Sequence, residues 1–582
     1  MLFAPRTFRR SASCSVENCV FDVAFDTSFA DNIAFASLTI DVEGKFILPD
    51  EYVDVTINGA GYGRCGEEVT LDVCGGVCCV TTCPALNGRD VTSAARSGTI
   101  VISVRISPDV AAVCNGDLFA VVHAELAIEL SETTYPTSTP TTAFPSPDPT
   151  VTLLPSVTSP PTTSLAPTPR PTSAISTFRA LRESLRSGAA KLLGVVGSIT
   201  FDEQIEISSA SHTITGTRDA VLDGASKTSL FELQNASLCL ESVTLLNGWT
   251  AALGGFVKAS SNSLLVLVSA VVRNGSATYG GAFYIEGDST VVASASIFEL
   301  NAAWQGGVGY YTTTSTFNAT TCQFDRNHAG LDGGVALLDR TSRFDVVSST
   351  FTANVAGDEG GVVSSFGKSV FTVGSSSFVK NNATFGGVAV VWHSSRLFVS
   401  DSTFEGNNVL ASGGVAYMQD SCVSSIMGSA FRSNRAGSRG GVVAAVEYCA
   451  VNVSDSVFEL NFAAEHGGVG FVYESSDFTV HTSSFDSNEA GQVGGVIGAW
   501  NSSSVAIYRS SFEQNTAVAG GVAALYYWAD MSVADSSFSR NAASRYGGVL
   551  NLFLSSCAVT NVSVEGNQAG ILGGVFSLSV ST

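Results

Sequence analysis

The charged residues that could carry out chemistry lie in two rows, both set by a repeat of 26 or 27 residues. The first row holds the residue three positions before each repeated phenylalanine, and in it Arg509 and Asp535 are neighbouring opposite charges. A carboxylate beside a guanidinium could exchange protons with a sugar chain. A surface ion pair between successive repeats is the simpler interpretation. The row comprises Thr321, Ser348, Ser375, Asp401, Gly428, Asp455, Thr482, Arg509 and Asp535.

The second row is acidic and lies just before the doubled glycines of the repeat. Carboxylates at this spacing could bind calcium. Solvated charges in surface turns are the interpretation that we favour. The members of this group are Asp332, Asp358, Glu359 and Glu465.

The histidines show no catalytic pattern. His393 and His466 are 73 residues apart, which is not a multiple of the repeat, so they share no common face. The sequence has no nucleophile elbow, phosphate loop or metal motif. We therefore expect no catalytic residue, no metal and no cofactor. The six histidines are His123, His212, His328, His393, His466 and His481.

Eight of the thirteen cysteines lie in residues 13–131, a segment with alternating strand patterns. An even number of cysteines in a small β-rich module indicates disulfides and an oxidising compartment. We predict an antiparallel sandwich with disulfides of unassigned connectivity. A zinc site at four of them (Cys74, Cys78, Cys79 and Cys83) is the alternative, although clean C-x-x-C pairs are missing. The eight candidates are Cys14, Cys19, Cys65, Cys74, Cys78, Cys79, Cys83 and Cys114.

The element that must position the charged rows is the repeat itself. A doubled glycine begins thirteen times between Gly254 and Gly573, and an asparagine keeps step with it. A fixed period of this length is typical of a solenoid. One unit, residues 333–359, holds three short strand-like runs and no helical periodicity. Three strands in about 27 residues predict one coil of a right-handed parallel β-helix, with about 13–15 coils in all.

Proline gives an independent test of this fold. All fifteen prolines lie at or before Pro171. A central strand pairs on both sides, and proline lacks the amide hydrogen that such pairing needs. The absence of proline from residue 172 onward therefore agrees with a continuous stack of coils.

Equivalent residues of successive coils are expected to superpose. The repeated phenylalanines should form an internal aromatic stack, and the asparagines a hydrogen-bonded ladder of side-chain amides along one turn. The phenylalanines are Phe351, Phe378, Phe404, Phe431, Phe458, Phe485 and Phe512. The asparagines are Asn301, Asn327, Asn354, Asn381, Asn407, Asn434, Asn461, Asn488, Asn515 and Asn541.

The alternation of Gly-Gly-Val or Gly-Gly-Ala with Phe-x-x-Asn resembles the repeats of the chlamydial polymorphic outer membrane proteins. Most copies here carry valine at the third position, so the resemblance is to the pattern rather than to each letter. It implies a pectate-lyase-like parallel β-helix and a secreted or surface-exposed protein. Residues 177–188 resemble the helix that caps such β-helices at the N-terminal end.

The chain is thus expected to have three parts. Residues 13–131 form the cysteine-rich module, and residues 132–175 form a linker rich in threonine, proline and serine. Residues 176–582 form the β-helix, with regular repeats over 247–582. The remaining cysteines are expected as single residues in or near its core, with Cys422 and Cys449 one coil apart, where they could stack or bridge.

A net charge of −22 argues against nucleic acid and anionic lipid as partners. Neither a signal peptide nor a run of 18 apolar residues is visible. From the cysteines and the linker we still expect an extracellular or cell-surface protein whose sequence is incomplete at one or both ends. Glycans or other surface proteins are the expected partners.

Two functions are compatible with these patterns. The first is a structural or adhesive protein without catalysis, whose solenoid is a rigid scaffold or a multivalent binding face. The second is a polysaccharide lyase or hydrolase. Coil length varies only between 26 and 27, whereas β-helix enzymes insert long loops on one side. We therefore expect the first function.

Export can be tested by counting thiols. In denatured, unreduced protein from its native host, we expect the eight cysteines of residues 1–131 to be oxidised, because an oxidising compartment favours disulfides. Alkylation with iodoacetamide followed by mass spectrometry measures this. Eight alkylated cysteines in that segment would contradict export.

Overall fold

The computed structural model describes residues 174–187, 192–217 and 219–579 in full, and only the backbone of eleven strands between residues 6 and 130. The chain divides into two units, Met1–Pro161 and Thr162–Thr582. Each unit is described by itself.

The strands of the first unit pair in antiparallel fashion. A five-stranded sheet is formed by Arg6–Cys14, Ala120–Leu130, Ile33–Gly44, Cys79–Thr82 and Arg89–Asp90. A four-stranded sheet is formed by Val20–Asp26, Thr99–Ile106, Val53–Ile57 and Ala60–Cys65, and a two-stranded one by Asp117–Leu118 and Val113–Cys114. The predicted disulfides, zinc alternative and linker lie outside the described residues.

The second unit confirms the predicted all-β, right-handed parallel β-helix. Each coil contributes one strand to each of three long parallel sheets, and every strand pairs in register with its equivalent one coil later. Sheet 1 has sixteen strands. They are Ala174–Ile175, Leu192–Val195, Ser211–Gly216, Ser237–Glu241, Leu264–Val268, Thr290–Ser294, Thr316–Thr320, Arg343–Val347, Val370–Gly374, Arg396–Ser400, Val423–Met427, Ala450–Ser454, Asp477–His481, Ser504–Tyr508, Asp530–Ala534 and Ser556–Thr560.

Sheet 2 carries the repeated phenylalanines and has fifteen strands. They are Ser198–Thr200, Val221–Asp223, Thr244–Leu246, Val271–Arg273, Ile297–Glu299, Gln323–Asp325, Thr350–Thr352, Ser377–Val379, Thr403–Glu405, Ala430–Arg432, Val457–Glu459, Ser484–Asp486, Ser511–Glu513, Ser537–Ser539 and Ser563–Glu565.

Sheet 3 follows the glycine pairs of the repeat and also has fifteen strands. They are Ile205–Ser208, Phe231–Gln234, Val257–Ser260, Phe283–Ile285, Gly309–Tyr311, Ala336–Leu338, Val363–Ser365, Ala389–Trp392, Ala416–Gln419, Val443–Val446, Gly470–Tyr473, Ile497–Trp500, Ala523–Tyr526, Leu550–Phe553 and Phe576–Ser579.

A fourth parallel sheet, which the sequence patterns do not predict, lies between the asparagines and the glycine pairs. Its strands are short because the chain turns twice within these few residues. The twelve strands of sheet 4 are Ser276–Tyr279, Ala302–Gln305, His328–Ala329, Val355–Ala356, Asn382–Ala383, Asn408–Val409, Arg435–Ala436, Phe462–Ala463, Glu489–Ala490, Thr516–Ala519, Ala542–Tyr546 and Gln568–Ala569.

The phenylalanines of sheet 2 stack on one another inside the solenoid. The ring centroids of Phe351 and Phe378 are 4.6 Å apart, and the rings are tilted by only 5°. Phe404 is 4.8 Å from Phe378 and 4.7 Å from Phe431. Near-parallel stacking follows from the register, since each ring stands one strand spacing above the last. Phe458, Phe485 and Phe512 continue the same enclosed column.

The asparagines form a continuous buried ladder, and each of those from Asn301 to Asn541 is fully enclosed. The amide nitrogen of Asn381 donates to Oδ1 of Asn407 in the next coil (3.0 Å) and to the carbonyl oxygen of Phe351 (3.1 Å). Oδ1 of Asn407 also accepts the backbone N–H of Asn381 (3.0 Å). Every polar group of the buried amide therefore has a partner, which buried polar groups require.

The doubled glycines allow two coils to touch. The first glycine of each pair, such as Gly333, has a positive φ (68°), which costs glycine little. A Cβ on the second, Gly334, would stand 2.1 Å from the carbonyl oxygen of Gly361 in the next coil. No side chain fits there, so the turn before sheet 3 stays tight.

A short helix, Phe178–Ser187, precedes the first complete coil. Its apolar face, which includes Leu181 and Leu185, is buried. Phe178 packs on Phe201, with ring centroids 5.1 Å apart. The helix thus covers apolar side chains at the first coils, as the resemblance to capped β-helices implies. None of the described segments is a helix long and apolar enough to cross a membrane.

The solenoid cysteines are free thiols. Cys422 and Cys449 are buried and stack rather than bridge, with the backbone N–H of Cys422 donating to Sγ of Cys449 at 3.2 Å. Cys322 is also buried, and Cys239 and Cys557 are half-buried.

The phenylalanine column can be tested at Phe404. Replacing Phe404 by alanine should destabilise its coil by about 3–5 kcal/mol through lost burial and a cavity. Hydrogen exchange should show the loss confined to a few neighbouring coils, because each coil contacts only its neighbours. The exposed neighbour Thr403, replaced by alanine, is the control and should stay within about 0.5 kcal/mol. Equal protection in both variants would contradict this packing.

Candidate functional site

The outer face of sheet 3 is bordered by two rows of side chains. We call the residues immediately before the glycine pairs the pre-glycine row. Backbone bonds hold this row in register, as between the N–H of Gly333 and the carbonyl oxygen of Glu359 (2.8 Å). The row comprises Leu253, Tyr279, Gln305, Asp332, Glu359, Phe385, Ser412, Arg439, His466, Val493, Ala519, Tyr546 and Leu572.

The other border is made by the last residues of the seven successive four-residue strands from Ala389–Trp392 to Leu550–Phe553, which we call the strand-end row. Its members are neighbours in the ladder of sheet 3, as Trp392 pairs with Gln419, and Trp500 pairs with Tyr526. The row comprises Trp392, Gln419, Val446, Tyr473, Trp500, Tyr526 and Phe553.

Three carboxylates meet at one point of the pre-glycine row. Asp332 and Glu359 occupy the same position in successive coils, and Asp358 adjoins Glu359 in sequence. Adjacent coils are about 4.8 Å apart. Asp332 is only 7 % exposed, and its Oδ2 accepts a hydrogen bond from Nε2 of Gln305 at 2.7 Å. We call these three residues the carboxylate cluster.

Glu359 is the central member of the carboxylate cluster. Its Oε2 accepts hydrogen bonds from Nε1 of Trp392 (3.0 Å) and from Oγ of Ser364 (3.3 Å). Ser364 is fully buried on the outer face of sheet 3. Oε1 of Glu359 has no protein partner in the described chain and is not an enclosed atom. This oxygen is therefore the one available to a bound molecule.

Burial, together with the smaller effect of the negative charges of Asp332 and Asp358, raises the pKa of Glu359 to about 7. Burial also raises the pKa of Asp332, against the hydrogen bond from Gln305. Crowded carboxylates cannot all ionise freely, because like charges disfavour one another. Our interpretation of the acidic group as solvated turn charges is thus wrong for Asp332 and Glu359. A carboxyl group with a pKa near neutral is a feature of catalytic acids.

Aromatic side chains surround the carboxylate cluster. The ring of Tyr417 lies 5.1 Å from that of Phe385 and 6.1 Å from that of Trp392. The hydroxyl group of Tyr417 donates to Oε1 of Gln419 (2.9 Å). Burial raises the pKa of Tyr417 to about 12, so this residue stays neutral. An acid beside half-buried aromatic rings is suited to a sugar, which offers apolar ring faces and polar edges.

The first charged row, with Arg509 and Asp535, lines a separate surface groove between sheets 1 and 2. The groove has a volume of about 720 Å³ and is lined by this pair together with Asp455, Thr482 and Asn561. Within the described residues, Arg509 and Asp535 form no ion pair, and Oδ1 of Asp535 instead accepts a hydrogen bond from Asn561 (2.6 Å). The expected ion pair is therefore wrong.

The carboxylates of this groove are too far apart for paired catalysis. Asp455 and Asp535 are separated by three coils, or about 14 Å. Paired glycosidase carboxylates lie about 5–9.5 Å apart. The carboxylate cluster is the better catalytic candidate by this criterion.

The other polar residues singled out in the sequence do not form a second catalytic cluster. Glu465 lies three or more coils beyond Glu359, and its Oε2 accepts a hydrogen bond from Oγ of Ser438 (2.7 Å), which lowers its pKa. His466 packs its ring 4.8 Å from that of Trp500. Over residues 174–579, as far as they are described, no group of histidine, cysteine and carboxylate side chains could hold a metal ion. The ladder asparagines and phenylalanines are enclosed and support the site from within.

The chain was compared with known proteins. No protein-family model matches it, and no curated protein matches it in sequence. Its fold matches the catalytic domain of a GH87 alpha-1,3-glucanase in complex with nigerose at 12 % identity, with a TM-score of 0.21, covering 98 % of this chain and 92 % of that one. The catalytic unit of a thermostable GH87 alpha-1,3-glucanase from Streptomyces thermodiastaticus matches at 10 % identity, with a TM-score of 0.25 and 98 % of both chains covered. A periplasmic alginate epimerase matches at 11 %, with a TM-score of 0.28, over 67 % of this chain and 85 % of that one.

These matches correct the expected function. The matched solved structures are catalytic domains and an epimerase, which contradicts the expectation of an adhesive or structural protein without catalysis. With TM-scores below 0.5 and identities of 10–12 %, the likeness assigns no reaction and no substrate to this chain. The resemblance to polymorphic outer membrane proteins stays a prediction, since no family model supports it. The chemistry is therefore argued from the residues of this chain.

The raised pKa of Glu359 predicts a pH-dependent stability. The folded state retains a proton that the unfolded state loses between pH 4.5 and about 7, so stability falls as pH rises through this range. Glu359→Gln removes the charge. It should therefore stabilise the surrounding coils at pH 8 by on the order of 1–2 kcal/mol, after discounting for solvent screening.

Hydrogen exchange at pH 5 and pH 8, corrected for the intrinsic exchange rate, measures this difference. The exposed Glu405 on sheet 2, replaced by glutamine, is the matched control and should show no pH-dependent gain. A gain in the Glu359 variant that is equal at both pH values would contradict the raised pKa.

Proposed function

We propose that this protein hydrolyses glycosidic bonds of a neutral polysaccharide on the outer face of sheet 3. The observation that carries the proposal is Glu359, a half-buried carboxyl group with a pKa of about 7 that is held between two carboxylates and the indole of Trp392. Two carboxyl groups with different protonation states are what glycoside hydrolysis needs.

In the proposed reaction Glu359 is the general acid. Its Oε1 delivers a proton to the glycosidic oxygen as the bond from that oxygen to the anomeric carbon breaks. Asp358 is more exposed than Asp332, so it is the carboxylate that faces the positive charge developing on the sugar. Water then adds to the anomeric carbon and restores the proton to Glu359. Asp332 stays in place and keeps the pKa of Glu359 high.

The charge of the site favours a neutral substrate. The chain carries a net charge of −22, and the nearest charged neighbours of Glu359 are the carboxylates Asp332 and Asp358. A lyase acting on a uronate polymer needs cations to neutralise the sugar carboxylate, as well as a base to remove a proton. No such cation contacts Glu359 among the described residues. Hydrolysis of an uncharged chain is the chemistry that these side chains fit.

This function agrees with the predicted setting of the protein. A polysaccharide substrate is found outside the cell membrane or in a cell wall, and a cysteine-rich module would be oxidised there. Secretion and a glycan partner are parts of the same proposal.

The proposal is tested by the release of reducing ends from laminarin, xylan, galactomannan and dextran, with polygalacturonate and alginate as charged counterparts. We expect turnover of at least one neutral polymer. Glu359→Gln should lower kcat on the order of 100- to 10,000-fold, because the general acid is lost. The control Glu405→Gln should retain full activity.

The pH profile gives a second test. Activity should decline about tenfold per pH unit above pH 7, as Glu359 loses its proton. Turnover of none of the neutral polymers, or an unchanged kcat in the Glu359 variant, would overturn the proposal.

A further inference from the structure

The strand-end row continues beyond Trp392 as a second group of aromatic side chains. Val446 pairs with Tyr473, and Tyr526 pairs with both Trp500 and Phe553 in the ladder of sheet 3. The row therefore carries Trp392 at the carboxylate cluster and Trp500 four coils further on. Four coils correspond to about 19 Å along the axis of the solenoid.

The rings of this second group are held in fixed orientations. Trp500 and Tyr526 stack with their centroids 5.1 Å apart and an angle of 13° between the rings. Phe471, on the outer face of sheet 3, lies 5.2 Å from Trp500. Nδ2 of Asn551 donates to the hydroxyl group of Tyr526 (3.0 Å). Trp500, Tyr526 and Phe553 are half-buried, so each ring retains exposed surface beside its aromatic neighbours.

We propose that Trp500 and Tyr526 form a second sugar-binding subsite for the same neutral polysaccharide. The chain of sugars then lies parallel to the solenoid axis, and the protein acts on internal bonds of long polymers. Sugar rings stack on aromatic rings through their apolar faces, and the aromatic rings of a rigid sheet lose little conformational entropy on binding. The inference depends on the proposed function only because that function places the bond to be cleaved at Glu359.

Two observations favour a neutral polymer as the occupant. The subsite lies in the same row as Trp392, so one extended molecule can contact both groups without bending. Between the two groups lie Glu447, which accepts a hydrogen bond from Nε2 of Gln419 (2.8 Å), and Glu465, which pairs with Arg439 (3.5 Å). With the carboxylate cluster, Glu447 and Glu465 set against the cation Arg439, the path is negative on balance, which repels a polyanion and leaves hydroxyl groups as acceptable neighbours.

The subsite is tested with Trp500→Ala, using the full chain. In native gels containing laminarin, xylan, galactomannan or dextran, the parent protein should be retarded by at least one polymer. Trp500→Ala should weaken that retardation at least tenfold in apparent Kd, whereas Glu359→Gln should keep it. Trp528→Ala is the matched control, since Trp528 is 69 % exposed but lies outside the row. Far-ultraviolet circular dichroism and the Tm establish that each variant is folded.

Kinetic measurements on the Trp500 variant distinguish this inference from the proposed function. With the polymer that the parent cleaves, Trp500→Ala should raise KM at least tenfold, while the hydrolysis of a chromogenic disaccharide, too short to span the two groups, stays unchanged. Parent-like retardation and parent-like KM in a folded Trp500→Ala protein would overturn the subsite, whatever Glu359 does. Retardation that is lost in Trp500→Ala, in a protein that cleaves nothing, would support the subsite and overturn only the proposed hydrolysis.

Discussion

The amide ladder of the asparagines is the interaction on which the rest of this solenoid depends. Each buried amide joins its own coil to the coils on either side, as Asn381 does through Phe351 and Asn407. A satisfied hydrogen bond contributes only about 1 kcal/mol net, but a buried polar group left without a partner costs about 1–3 kcal/mol. A coil that slipped out of register would leave several such groups unpaired at once. The ladder thus fixes where each turn begins, and with it the side chains a few residues later.

The carboxylate cluster exists because this register cannot relax. In a mobile loop, Asp332 and Glu359 would move apart and ionise separately. Here backbone hydrogen bonds on both sides of the pre-glycine row hold them one coil apart, and Trp392 covers Glu359 from the strand-end row. The repulsion therefore appears as a raised pKa rather than as a displaced chain. The crowding that raises the pKa of Glu359 also lowers the stability of the surrounding coils, and such strain is common at functional sites.

The fold could be predicted from the sequence because its determinants recur in every coil. Glycine pairs, Phe-x-x-Asn and the absence of proline repeat often enough to specify coil length and register. The fourth sheet escaped prediction because its strands have only two to five residues, although nearly all of them carry a small alanine at the second position, a signal that the sequence analysis missed. The members of the carboxylate cluster were identified from their place before the glycine pairs, but the burial and raised pKa values of Asp332 and Glu359 were not predicted. Burial of Glu359 depends on Trp392, 33 residues later, which no periodicity connects to it. Uniform coil length does not exclude a polar cluster on the surface, since turn side chains form this one without any inserted loop.

The doubled glycine and the asparagine give the chain a modular unit whose removal or duplication preserves the register of the sheets and the asparagine ladder. Gain or loss of one whole repeat by recombination between similar stretches of gene would preserve the ladders on both sides of the junction. The distance between Trp392 and Trp500 is then a quantity that evolution can alter only in whole steps of about 4.8 Å. Relatives with one coil more or fewer between these tryptophans would measure a different length of polymer with the same reacting groups. In this architecture, the length of polymer that can contact both tryptophans changes only by whole coils.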